Sequence, residues 1–183
     1  MRCEGKNGFL HVLSNQQYTF LHFDKKRGKQ AIENMGLLEK FQGVLVRDRW
    51  ASYDAKDYNF DSQLCNAHLI RDLKAVAENS TNDWPNRMIH LLIKAKKVKE
   101  KGLTNADFKI LSKDYDEIIK TADTIVPTQK WKPHWEKGPK KRSKERNLLN
   151  VFKDRKSDVL RFISDKNVPF DNNLAERNLR MPK

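Results

Sequence analysis

Cysteine is almost missing from this sequence of 183 residues: only Cys3 and Cys65 occur, too few for a disulfide framework, although a single bridge stays open. Long apolar runs are missing too. No stretch approaches the roughly 20 apolar residues that cross a bilayer, and no amphipathic segment carries the flanking aromatics of an interfacial anchor. A membrane is therefore not an expected partner. The opening MRCEGKNGFLHVLS has no positively charged start followed by an apolar stretch and a cleavage site, so secretion is not expected either. Internal repeats and low-complexity tracts are also lacking. The expectation is a cytoplasmic chain.

Positive charge, by contrast, is abundant. Lys and Arg number 37 against 24 Asp and Glu, for a formal net charge of +13, and the isoelectric point is near 9.7. Such an excess points to a polyanionic partner, with nucleic acid first. The length suits one core carrying one insertion better than two full domains.

The first third reads as strands. Phe9, Leu10, Val12 and Leu13, then Tyr18, Phe20, Leu21 and Phe23, are short apolar runs separated by the turn-prone Ser14-Asn15, which predicts a β-hairpin. Helix formers from Lys26 to Asn34 follow, with Ala31 and Ile32 on an apolar face and Gly36 as the stop. Gly43-Val44-Leu45-Val46 is a compact apolar run of the kind buried in a sheet covered on both faces. It ends at Arg47-Asp48-Arg49-Trp50. Ser62 to Cys65 reads as a short strand leading into a helix from about Asn66 to Glu78, where Leu69, Leu73, Val76 and Ala77 recur at helical spacing. Two further helices are expected near residues 84–101 and 105–122. A last helix reaches about Ile163, and Asp171-Asn172-Asn173-Leu174-Ala175-Glu176-Arg177 resembles a capped helix start.

Four groups of residues could carry chemistry. Asp48 follows a buried strand, where open α/β sheets place ligands; on position alone it could equally be a loop or cap aspartate. Glu176 lies in the first turns of a helix that Asp171 or Asn172 could cap, so a well-capped surface helix is the plainer reading of that segment. Pairing the two carboxylates changes the weighing, because phosphodiester chemistry on two metal ions takes hard oxygen ligands from separate chain segments. Cys65-Asn66-Ala67-His68 has the C-x-x-H form, but four zinc ligands do not accumulate around it, and as nucleophile and base the pair lacks an orienting partner. The tract from Gln129 to Arg146 holds Lys130, Lys132, Lys137, Lys140, Lys141, Arg142, Lys144 and Arg146 with Trp131 and Trp135 between them. Cations interleaved with rings can track a phosphate backbone and stack on bases; the alternative is a solvated basic loop.

In order along the chain, GFLHVLSN at Gly8, KKRGKQAIENMGLL at Lys25, FQGVLVRDRWASY at Phe41, LCNAHLIRDL at Leu64 and DNNLAERNLRMPK at Asp171 resemble the transposases of the insertion sequence 66 family. That is a branch of the DDE transposases with an RNase H-like catalytic core. The resemblance implies an α/β fold: a mixed sheet flanked by helices, interrupted by an all-helical insertion. Residues 1–80 would be the first part of the core and 81–127 the insertion. Residues 128–183 would hold the basic segment and the helices that complete the core. It implies DNA as partner (transposon ends and target), a homo-oligomer on that DNA, a nucleoid-associated bacterial location, and a two-metal Mg²⁺ site. Asp48 and Glu176 would be the second and third catalytic, metal-holding carboxylates, with Cys65, His68, Asp171 and Asn172 near them. Lys130, Trp131, Lys132, Lys140, Lys141, Arg142, Lys144 and Arg146 would bind DNA. The family's Asp-Glu-Thr-Gly motif, which carries the first carboxylate on the central strand, does not occur in this sequence. The expectation is therefore a chain clipped at both ends and inactive as it stands. A non-catalytic DNA-binding remnant is the second reading, and a nuclease using the same carboxylates the third.

Overall fold

The structure is a computed structural model and describes residues 2–3, 6–54, 58–129 and 142–180, with only the backbone described at 2, 3 and 6. The chain divides into two compact units, one of residues 1–65 with 171–183 and one of residues 66–170. The first holds the strands, the second only helices, so the chain is mixed α/β.

In the first unit β1 (Arg2–Cys3) pairs antiparallel with β2 (Lys6–Asn7). The hairpin follows as β3 (Phe9–Ser14) and β4 (Thr19–Asp24), in register from Phe9 opposite Asp24 to Ser14 opposite Thr19. Asn15 makes the turn: its side-chain oxygen accepts from the backbone N–H groups of Gln17 at 2.9 Å and Tyr18 at 2.7 Å, the way Asx side chains stand in for a backbone turn. Tyr18 thereby leaves the strand for the turn and is 73% exposed. Before β3 the backbone of Gly8 runs so close to β4 that a Cβ there would sit 2.4 Å from the Phe23 ring and 2.6 Å from the Asp24 carbonyl oxygen. Gly8→Ala is accordingly expected to lower stability by about 1 to 3 kcal/mol through forced overpacking. Denaturant unfolding of the variant beside the parent chain checks this, and an unchanged midpoint would contradict it.

Asp24 ends the hairpin and begins the next turn. One carboxylate oxygen accepts from the Lys26 N–H at 2.7 Å and the other from the Asn34 side chain at 2.7 Å, and these bonds, with the Lys26 contact foremost, hold its carboxyl below the usual range. That turn delays helix α1 (Lys29–Asn34) beyond the Lys26 start that propensity suggests. Gly36, at φ 66°, closes the helix in the left-handed conformation only glycine adopts easily. Ile32, Met35 and Leu38 are the buried centre of this unit, with Leu13, Leu45, Trp50, Tyr53, Tyr58 and Phe60 packed around them.

Strand β5 (Val44–Arg47) pairs parallel with β6 (Asp61–Leu64), Val44 beside Asp61 and Arg47 beside Leu64. A helical turn at Ala51–Asp54 lies between them. Val44, Leu45 and Val46 are half-buried rather than enclosed, because among the described residues β5 has a strand on one edge only. The described strands thus form three separate two-stranded ladders. Helix α7 (Asn173–Leu179) completes the unit against the hairpin: Asn178 donates to Ser14 Oγ at 3.1 Å and Thr19 Oγ1 at 2.7 Å.

The second unit contains α2 (Asn66–Ala77), α3 (Trp84–Glu100), α4 (Asn105–Ile125), α5 (Lys144–Asp154) and α6 (Lys156–Ser164). Its core includes Leu69, Leu73, Met88, Leu92, Leu111, Tyr115, Leu149, Phe152 and Phe162, none more than 2% exposed. Buried polar atoms fix how these helices meet. The Tyr115 hydroxyl donates to the Phe152 carbonyl at 2.7 Å, and burial drives its ionisation far above the ordinary tyrosine range. Asn66 donates to the Val159 carbonyl at 3.1 Å. Glu145, in the first turn of α5, accepts on one oxygen from Ser80 Oγ, Asn82 Nδ2 and Trp84 Nε1 at 2.9, 3.1 and 2.8 Å. Thr104 and Asp107 form a reciprocal capping box that starts α4.

Candidate functional site

Both candidate carboxylates belong to the first unit, and each sits where local structure leaves an acidic side chain at an element's end. Asp48 follows the last residue of β5 and is half-buried. One of its oxygens accepts the Trp50 N–H at 3.1 Å, which turns the chain sharply after the strand.

The neighbouring Arg47 supports that turn from beneath. It is only 4% exposed, yet all of its charge is engaged. Its Nε donates to Ser62 Oγ on β6 at 3.1 Å, Nη1 to the Asp48 carbonyl at 3.2 Å, and Nη2 to the Asp54 carboxylate. The guanidinium also lies over the Tyr53 ring, 5.6 Å from its centroid. Burial, then the negative charge of Asp48, pushes the Tyr53 phenol above its ordinary pKa, so the Asp48 carboxylate is felt electrostatically in this pocket of aromatic rings. Trp50 stacks beside His11, a residue of β3 that is 8% exposed, and Arg27 lies 5.0 Å above the Trp50 ring.

Glu176 lies in the first turn of α7, half-buried, with its backbone N–H on the Asn172 carbonyl at 3.2 Å. A carboxylate there is favoured by the helix dipole. Asp171 accepts the Asn173 N–H at 3.2 Å, so it is the aspartate whose side chain supports this helix start. Asn172 is the cap residue and contributes its backbone carbonyl. Cys65 is buried and continues the β5–β6 ladder through its N–H to the Arg47 carbonyl at 2.7 Å. Its sulfur and a Glu176 carboxylate oxygen are within 4.8 Å of each other. His68 lies one turn into α2, in the helical unit, and is half-buried.

Asp48 and Glu176 each carry the carboxylate oxygens that a hard divalent cation such as Mg²⁺ takes, but the group of possible ligand atoms around Glu176 includes the Cys65 thiol and does not include Asp48, and a thiol is a soft ligand with no natural place in such a site.

Of the basic tract, Lys130, Trp131, Lys132, Lys140 and Lys141 lie outside the described residues. Arg142 and Lys144 are exposed. Arg146 is turned inward: 7% exposed, it donates to the Val126 carbonyl at 3.1 Å and to Asp123 at 2.6 Å. Lys153 takes the other Asp123 oxygen at 2.6 Å, and the two cations, Lys153 foremost, keep that carboxyl below its usual range. Arg146 therefore ties α4 to α5.

Sequence reasoning passed over Arg47, Tyr53 and His11. The first had a visible signal, an arginine ending an apolar strand immediately before an acidic residue; the other two depend on contacts distant in sequence. A family model described as Transposase IS66 family matches residues 1–183. No curated protein and no solved structure matches the chain.

Proposed function

The chain belongs to the IS66 family of transposases, and from that membership we propose that it carries the second and third carboxylates of a DDE-type centre for DNA cleavage and strand transfer. Asp48 and Glu176 are the residues assigned to that role. What supports the assignment is their position, on separate segments of one compact unit, at a strand's end and in a helix's first turn. We read β3–β4, α1 and β5–β6 as parts of an RNase H-like core. DNA is the partner, with a homo-oligomer assembling on it.

Asp48 and Glu176 would hold Mg²⁺, which when bound supplies the charge that activates a water or 3′-hydroxyl and stabilises the leaving oxygen. Asp48 is held for this by Arg47, which fixes its backbone carbonyl, and by the Trp50 N–H, which occupies one carboxylate oxygen and leaves the other to a cation. Glu176 is oriented by the start of α7. A triad needs one carboxylate more, and the family's Asp-Glu-Thr-Gly motif is not among these 183 residues. On their own, we infer, they bind DNA without joining strands.

Two measurements test this reading. Residues 1–183 should bind duplex DNA with an affinity that falls steeply as salt rises, because phosphate contacts release counterions, and Asp48→Ala or Glu176→Ala should leave that affinity unchanged. A divalent-metal-dependent strand-transfer assay on matching transposon ends should give no joined product. Efficient joining by residues 1–183 would overturn the inactive reading, and salt-insensitive or absent binding would overturn the DNA-binding one.

A further inference from the structure

The positive charge of the described helices is concentrated in one of them. Helix α3 carries five Lys and Arg against a single Glu, whereas α4, the longest helix, mixes three Lys with five acidic residues. Much of α3's charge has a structural explanation. Lys99 is partly buried, donating to the carbonyls of Asp165 and Val168, and Lys96 lies over the Phe170 ring at 5.2 Å. Arg87 and Lys94 face Glu117 and Asp114 of α4 at 3.8 and 3.7 Å, loose pairs between exposed side chains.

One further set shares a single face of the helix. His90, Lys94, Lys97 and Lys101 recur at intervals of four and three residues, so they share one helix face, and all four are exposed. Together with Ile93 and Val98 they line a shallow groove along the carboxyl half of α3. Among the described residues no carboxylate pairs with Lys97 or Lys101. Lys97 and the cap residue Lys101 lie at the carboxyl end of α3, where the helix dipole favours cations, and their charge is open to a polyanion from solution. At 1.5 Å per residue the row from His90 to Lys101 extends about 16 Å, with lysines at 94, 97 and 101. That geometry suits a run of phosphates, not a single bound anion.

We propose that this face of α3 binds the phosphate backbone of duplex DNA through residues other than those of the tract at 129–146. The proposal rests on the reading of the chain as a DNA-binding transposase unit and extends it to the helical unit. The contact is sequence-independent, since lysines at this spacing engage phosphates and not base edges.

The test uses residues 1–183 and a short random-sequence duplex, with affinity measured across a salt series. Lys97→Gln/Lys101→Gln is compared with Lys109→Gln/Lys113→Gln, which removes the same charge from exposed positions of α4. Circular dichroism confirms that both are folded. The α3 variant is expected to bind about tenfold more weakly and to lose about 2 from the slope of log affinity against log salt, about 1 for each phosphate contact. The α4 variant should stay within about twofold of the parent. If the α3 variant binds like the parent, or if both variants weaken equally, the proposal fails while the DNA-binding reading stands. If the parent chain shows no salt-dependent binding, both fail.

Discussion

Phe152→Ala is expected to remove about 3 to 5 kcal/mol of stability, enough to abolish or nearly abolish the folded helical unit, given that whole domains hold only about 5 to 15 kcal/mol. Phe152 is fully buried. Its ring meets Trp84 edge-on at 6.2 Å and Tyr115 at 6.3 Å, so α3, α4 and α5 converge on it. Truncation leaves a cavity against all three. It also loosens the position of the backbone carbonyl that receives the Tyr115 hydroxyl, and a buried hydroxyl without its partner adds about 1 to 3 kcal/mol. The measurement is denaturant unfolding followed by near-ultraviolet circular dichroism, since Trp84 and Tyr115 lose their fixed surroundings. A shift below about 1 kcal/mol would mean that the three helices do not share this core.

The same residues show which parts of the fold were legible in the sequence. The hairpin could be read from its apolar runs and the turn at Asn15, and β5, β6 and α2 from runs that end within a residue or two of the observed bounds. Helices α3 and α4 were equally visible in their periodicity. Other features depend on partners that periodicity does not reveal. Lys26 and Arg27 favour a helix locally, but the Asp24 carboxylate takes the Lys26 N–H for a turn first. Glu145 looks like a minor acidic interruption of a basic tract, yet it gathers three donors from residues 61 to 65 positions away. Arg146 looks like one more phosphate-binding cation and is instead consumed by Asp123 and Val126. In such a tract composition gives the net charge, while burial decides which charges remain available to a partner.

The candidate carboxylates were similarly legible in position and not in support. A strand ending before an acidic residue located Asp48, and a polar run before Leu-Ala-Glu located Glu176. Nothing local revealed that Arg47 fixes the Asp48 turn, since its partners Ser62 and Asp54 lie 15 and 7 residues away.

Arg47→Met should therefore have the second largest effect, a loss of about 2 to 3 kcal/mol. Removing one member of a buried ion pair costs about 3 to 5 kcal/mol when the other charge is left buried. Here Asp54 is 42% exposed and can turn to water, so the expected loss is smaller. Methionine recovers part of the packed volume but none of the hydrogen bonds, which leaves Ser62 Oγ and the Asp48 carbonyl without the donor each now has. The consequence for function is separable from stability. Asp48 would lose the support of its backbone carbonyl, and Mn²⁺ binding by the folded variant should weaken by about tenfold, in line with the effect of removing an outer-shell partner. Asp54→Asn is the informative companion, since it keeps an acceptor for Arg47 while removing the exposed charge, and should cost less than about 1 kcal/mol. Equal losses from the two variants would assign the effect to the ion pair alone. A larger loss from Arg47→Met, accompanied by weaker Mn²⁺ binding, assigns it to the bonds that hold β5, β6 and the Asp48 turn together.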